Sequence, residues 1–75
     1  MSNPVNVLTA RQRLARNLKE WRARRGMSQD ALSSTAGLSR VHISRLENSV
    51  DTVSVDNLEK LANALKIDIV DLLLP

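Results

Sequence analysis

Ser28-Gln29-Asp30-Ala31-Leu32-Ser33-Ser34-Thr35-Ala36-Gly37-Leu38-Ser39-Arg40-Val41-His42-Ile43-Ser44-Arg45-Leu46-Glu47-Asn48 is the stretch on which the fold turns. It reads as two short helices joined by a tight turn. Ser28 offers a hydroxyl to the free amides that open the first helix, and Ser39 does the same for the second. A pair of helices crossing at a short turn makes specific demands. A small residue in the first helix lets the second cross closely, and Ser33 is placed for it. The turn needs a left-handed backbone that most residues adopt only at a cost, and Gly37 supplies it. Apolar anchors hold the crossing angle: Leu32, Ala36, Leu38, Ile43 and Leu46, with Ala31 also directed inward and Val41 or His42 beside Ile43. The outward face of the second helix is then left polar and basic, with Arg40, His42, Ser44 and Arg45.

Working outward, Thr9-x-x-Gln12 has the form of a capping box and predicts a helix start. Leu14, Leu18 and Trp21 follow at helical spacing with Ala15 beside them, mostly separated by Arg and Lys, and Gly26 ends the helix. Residues 1–8, which include Pro4, read as a flexible N-terminal arm. Beyond the central pair, residues 48–52 form a loop and Ser54 caps a fourth helix whose stripe is Val55, Leu58, Leu61, Ala62 and Leu65. Asp68 caps a last short helix over 69–74. No strand signal, repeat or low-complexity tract interrupts this pattern. The expectation is an all-α domain of five helices over residues 9–75.

Composition narrows the function. The chain has 75 residues and no cysteine, which excludes disulfides and thiolate metal sites. With one aromatic residue, its core must be built from Leu, Val, Ile and Ala. Trp21 sits at an apolar position and reads as core, not as a base-stacking platform. Residues 1–45 carry nine Lys/Arg against two acids, whereas residues 46–75 carry two against six. A basic half suits a polyanion, although a solvated helix face is the plain alternative for Arg22, Arg24 and Arg25. No segment approaches a membrane span, and the start lacks a secretory signal, so a cytoplasmic protein is expected. His42 is the only histidine and has no metal-ligand set around it. Asp68 and Asp71 read as a cap and a solvated acid, not as an acid/base pair. Without a nucleophile–base signature or a phosphate loop, neither enzyme activity nor a cofactor is expected.

The central stretch closely resembles the Cro/lambda-repressor (XRE-like) family of helix-turn-helix regulators. Members commonly read Ser/Thr-Gln-x-x-Leu-Ala, then Ala-Gly-Leu-Ser, then Ile-Ser-x-Leu/Ile-Glu. This chain has Ser28-Gln29-Asp30-Ala31-Leu32-Ser33, Ala36-Gly37-Leu38-Ser39 and Ile43-Ser44-Arg45-Leu46-Glu47. The similarity continues through Leu58-x-x-Leu61-Ala62-x-Ala64-Leu65 and Leu72-Leu73, covering about residues 10–74. It implies a compact lambda-repressor-like domain that regulates transcription by binding double-stranded DNA through a recognition helix at about 39–48. Gln29 matches a glutamine that hydrogen-bonds a phosphate and braces that helix. Arg40, Val41 and Arg45 match positions that face base edges; an arginine there pairs both acceptors of guanine, and Val41 meets a thymine methyl. Ser28, Ser39, His42 and Ser44 are the secondary candidates for backbone or base contacts. Arg22 and Glu47 match an ion pair tying the first helix to the third. The loop Ser49-Val50-Asp51-Thr52-Val53 departs from the family pattern, which often has Gly after the Asn48 position and then basic residues. That departure weakens the backbone contacts expected of this loop.

The last helix is more apolar than its core contacts require. Ile69, Leu72 and Leu73 suffice to cover the core, yet Val70 and Leu74 are apolar too. A homodimer through the fourth and fifth helices, with Val70, Leu74 and Ile69 at its interface, is therefore expected. Two-fold symmetry would place two recognition helices on a palindromic operator. Near a promoter such a protein represses by occlusion or activates by touching RNA polymerase, and the sequence does not choose between them. Small family members include phage repressors and controllers of restriction–modification systems, and this short chain resembles the latter. Two rivals remain open at this point. One is a protein-interaction or antitoxin-type module on the same fold with DNA binding secondary; the other is an architectural binder blind to sequence.

Overall fold

The computed structural model describes residues 8–75. The arm expected over residues 1–8 lies outside the described residues except for Leu8. Five helices follow in order: α1 Ala10–Arg24, α2 Gln29–Ala36, α3 Arg40–Glu47, α4 Val55–Leu65 and α5 Ile69–Leu73. No strand occurs among the described residues. Every helix opens on a side chain that accepts a hydrogen bond from an amide of its own first turn. Thr9 accepts from Gln12, Ser28 from Ala31, Ser39 from His42, Ser54 from Asn57 and Asp68 from Val70. Each such cap contributes about 1 kcal/mol. Thr9 and Gln12 form a reciprocal capping box, and so do Asp68 and Asp71, because an Asp71 oxygen accepts from the Asp68 amide at 3.1 Å. Asp71 is therefore a cap member and not merely a solvated acid.

The turn between α2 and α3 is closed by Gly37 at φ 71°, whose amide donates to the Ser33 carbonyl at 2.9 Å. A Cβ built on Gly37 would meet nothing within 4 Å, so glycine is favoured here by the dihedral and not by crowding. Ser33 fills the crossing in an additional way. Its hydroxyl donates to the Leu38 carbonyl, which joins the body of α2 to the turn.

Leu14, Leu18, Leu32, Ala36, Ile43, Leu46, Leu58, Leu61, Ala62, Leu65 and Leu72 pack into one buried cluster drawn from all five helices. Trp21, Met27, Leu38, Val53, Ile67 and Ile69 pack against its margin. In this arrangement α1 lies against α3 and α5, while α2 is held between α3 and α4. Four expected core positions are not buried. Ala31 is exposed, because the buried i, i+4 pair Leu32 and Ala36 sets the inward face of α2 and turns its neighbour outward. Val55 is 76% exposed: it is the first residue of α4 and stands a turn short of the packed segment that begins at Leu58. Leu73 is exposed as well, since the single turn of α5 buries only Leu72 fully. In α3 neither Val41 nor His42 joins the core, which takes Ile43, Leu46 and Glu47.

Polar ties between distant segments close the domain. Asn17 is buried, and its side-chain amide donates to the carbonyls of Leu72 at 3.1 Å and Leu74 at 2.8 Å. It thereby satisfies carbonyls that the end of α5 leaves without helical partners. Arg16 donates to the same Leu74 carbonyl at 2.9 Å. Arg25 serves α4 in the same manner, with Nε 2.8 Å from the Leu65 carbonyl. Arg24 and Arg25 both lie over the Trp21 ring, 4.9 and 5.1 Å from its centre. Part of the basic surface of α1 is thus committed to helix ends and to the indole.

Candidate nucleic-acid interface

Helix α3 is held by a polar clamp at its C-terminal end. Glu47 is 4% exposed, and a buried carboxylate must be paired to be tolerated. Arg22 of α1 meets it with two parallel bonds, Nε to Oε2 at 2.7 Å and Nη2 to Oε1 at 3.0 Å. The third nitrogen of the guanidinium donates to the Met27 carbonyl at 3.0 Å, so the planar fork is used on both sides. Gln29, the first residue of α2, adds a bond from Nε2 to Glu47 Oε1 at 3.1 Å. One carboxylate therefore joins α1, α2 and α3. The hydrogen bonds to Glu47 raise the Arg22 guanidinium above its already high ordinary pKa, which keeps it charged throughout the accessible pH range.

The opposite face of α3 is open. Val41 is 61% exposed, and more than half of the Arg40 and Arg45 side chains is accessible. Ser39 is exposed but its hydroxyl is occupied as the α3 cap, as that of Ser28 is for α2. His42 and Ser44 are half-buried at the edge of this face. Arg40, Val41 and Arg45 thus share the exposed side of one helix, and Gln29 is turned back toward Glu47.

Two acids touch this face. Asp30 of α2 approaches Arg40 Nε at 3.2 Å, with both side chains largely in solvent. Such a pair contributes little. Asp51 is better engaged: Oδ1 accepts from Arg45 Nε at 2.8 Å, and Oδ2 lies 3.0 Å from His42 Nδ1. These bonds, with Arg45 the larger influence, hold the Asp51 carboxyl below its ordinary pKa. The sequence marks this loop as a departure from the family pattern but does not single out Asp51. Its signal was an acid lying a few residues beyond a basic helix face.

The loop after α3 keeps a glycine-like geometry without glycine. Ser49 takes φ 60°, its amide donates to the Leu46 carbonyl at 3.1 Å, and the Val50 amide reaches the Arg45 carbonyl at 2.9 Å. Elsewhere, an open groove of about 660 Å³ runs between α1 and the end of α3, bordered by Gln12, Ala15, Lys19, Glu47 and Asn48. Among the described residues no three His, Cys, Asp or Glu side chains gather as a metal site would require, and no helix is long and apolar enough to cross a membrane.

Residues 18–72 match the HTH_3 family model, described as helix-turn-helix. The chain belongs to the HTH_3 helix-turn-helix family. Within it, the chain is 37% identical over 62 residues to a hypothetical transcription factor of Neisseria meningitidis serogroup B, a match covering 83% of this chain and 58% of that protein. The chain thus spans little more than half the length of this curated relative. The crystal structure of a hypothetical transcription factor from Neisseria superposes with a TM-score of 0.87 at 32% identity, covering 99% of this chain and 88% of that one. The restriction–modification controller protein C.AhdI from Aeromonas hydrophila superposes at 0.80 with 34% identity, covering 83% and 94%. In HTH_3 terms α2 and α3 are the helix-turn-helix pair, and the clamp at Glu47 sets how α3 stands on the rest of the domain.

Proposed function

We propose that this chain is a sequence-specific, double-stranded-DNA-binding transcriptional regulator that reads the major groove with α3. The observation that carries this reading is the presentation of Arg40, Val41 and Arg45 on one exposed face of α3, a helix held from behind by Arg22, Gln29 and Glu47. Each arginine at a base edge supplies about 1–3 kcal/mol of discrimination through bidentate pairing with guanine. Val41 offers an apolar surface to a thymine methyl. Ser39, His42 and Ser44 border that face, and they and Ser28, the cap of α2, contribute backbone or secondary contacts in this reading. Family membership, and similarity to proteins named as transcription factors and as a restriction–modification controller, support the same assignment.

The chain acts as a homodimer in this reading. Val70 and Leu74 are exposed on α5 and its end, Ile69 is partly packed on the core, and Leu73 adds to the apolar surface. Self-association through α4 and α5 would cover that surface and set two α3 helices about 34 Å apart on a palindrome. Selection from a random duplex library at fixed salt tests the function. A two-fold-symmetric motif with guanines at matching half-site positions is the expected outcome, with affinity falling steeply as salt rises. Enrichment of no sequence would overturn specific reading, and sedimentation showing only monomer at tens of micromolar would overturn the dimer.

A further inference from the structure

Asp51 lies in the loop where the chain departs from its family's pattern, yet it bonds two side chains of the recognition face at once. We propose that Asp51 is a positioning residue for sequence specificity, orienting the Arg45 guanidinium for end-on pairing with a guanine and fixing the orientation of the His42 ring. This rests on the assignment of α3 as the DNA-reading helix.

The geometry of the Arg45 bond matters more than its presence. Asp51 Oδ1 accepts from Nε alone, at 2.8 Å. Arginine can bridge guanine O6 and N7 through its two terminal amino groups or through Nε and one of them. With Nε engaged, the terminal pair remains for the base. A long, half-exposed side chain otherwise samples many rotamers and must be ordered when DNA arrives. Here the ordering precedes binding. The other oxygen of Asp51 lies 3.0 Å from His42 Nδ1, and because a carboxylate only accepts, this contact turns the Nδ1–H edge of the ring toward the loop.

The carboxylate is carried by a loop fixed to α3 itself. The amides of Ser49 and Val50 are bound to the Leu46 and Arg45 carbonyls, so Asp51 moves with the helix it braces. Asp30 does not do the same for Arg40. Its carboxylate is 81% exposed, and its contact at 3.2 Å is an ion pair without an accompanying hydrogen bond.

An acid beside the recognition face also repels phosphates. Its removal should therefore raise affinity for DNA of any sequence while blurring one position of the site. Those opposing effects separate positioning from a merely structural role. The experiment compares wild type, Asp51→Ala, Asp51→Asn and Arg45→Ala by library selection and by titration of single-substitution duplexes at one salt concentration. Expected is a loss of about tenfold in base preference for Asp51→Ala and a smaller one for Asp51→Asn, whose amide oxygen still accepts from Arg45 Nε, both confined to the base pair whose preference Arg45→Ala abolishes. Affinity for random duplex should be higher. Wild-type preference retained at that base pair in Asp51→Ala would overturn the role of Asp51 alone. Loss spread evenly over all positions would overturn it too, by indicating a disturbed loop. A wild-type protein that enriches no sequence would instead overturn the DNA-reading assignment beneath it.

Discussion

Replacing Glu47 with alanine removes the single carboxylate on which α1, α2 and α3 converge. Three hydrogen bonds disappear, two from Arg22 and one from Gln29. Arg22 is left with the Met27 carbonyl as its remaining partner in the protein. Breaking a fully buried ion pair by deleting one partner costs about 3–5 kcal/mol, because the other charge stays uncompensated. The Arg22 side chain is 22% exposed and can regain some water, so the expected loss is about 2–4 kcal/mol. For a domain of this length each kcal/mol moves the melting midpoint by about 4–8 °C, which gives a fall of roughly 8–32 °C. Thermal and urea unfolding followed by circular dichroism at 222 nm would measure it, with Arg22→Ala and the double variant completing a cycle. The double variant should lose less than the sum of the single losses, since it strands no charge. DNA binding should weaken alongside, because the axis of α3 is no longer fixed. A midpoint within about 3 °C of wild type, or strictly additive losses, would refute the clamp as the element that holds α3.

Asn17→Ala should destabilise the domain by about 1–3 kcal/mol, because carbonyls at the end of α5 lose the buried amide that serves them; urea unfolding checks this, and a change under about 0.5 kcal/mol would contradict it. Ser49→Gly should stabilise by about 0.5–1 kcal/mol, since the residue already sits at φ 60° where a side chain is unfavourable, and thermal melting reads the gain. Asp51 has a depressed folded-state pKa, so its contribution to stability is present above the unfolded carboxylate value and is lost as pH falls through the folded one. Carbon-detected NMR titration should accordingly show the Asp51 midpoint rising toward the ordinary range in Arg45→Met; an unmoved midpoint would deny Arg45 the leading role.

The boundaries of the five helices were legible because they depend on neighbours a few residues apart. Thr9, Ser28, Ser39, Ser54 and Asp68 each bond an amide within three residues, and Gly26 and Gly37 mark stops through their own dihedrals. The apolar stripes of α1 and α4 were legible for the same reason, since helical period alone brings Leu14 beside Leu18 and Leu58 beside Leu61 and Ala62. Apart from Ala31, which the Leu32–Ala36 pair turns outward, periodicity failed at element ends. Val55 and Leu73 have the chemistry of core residues, but a first turn and a one-turn helix leave them in solvent. Arg22 and Glu47 came into view only through family resemblance, because no local rule links residues so far apart in the chain.

By itself, then, the sequence determined an all-α chain, its caps and turns, and a basic face on the second helix of a helix-turn-helix pair. These follow from short-range hydrogen bonding and from the fixed period of the α-helix. Only the tertiary structure decided which polar groups are taken: that Asn17 serves the end of α5, Arg25 the end of α4, and Asp51 the guanidinium of Arg45. Those pairings depend on where packing of the leucine core sets distant helix ends and loops. A donor and an acceptor lying on separate segments carry no mark of each other until that packing has brought them within about 3 Å.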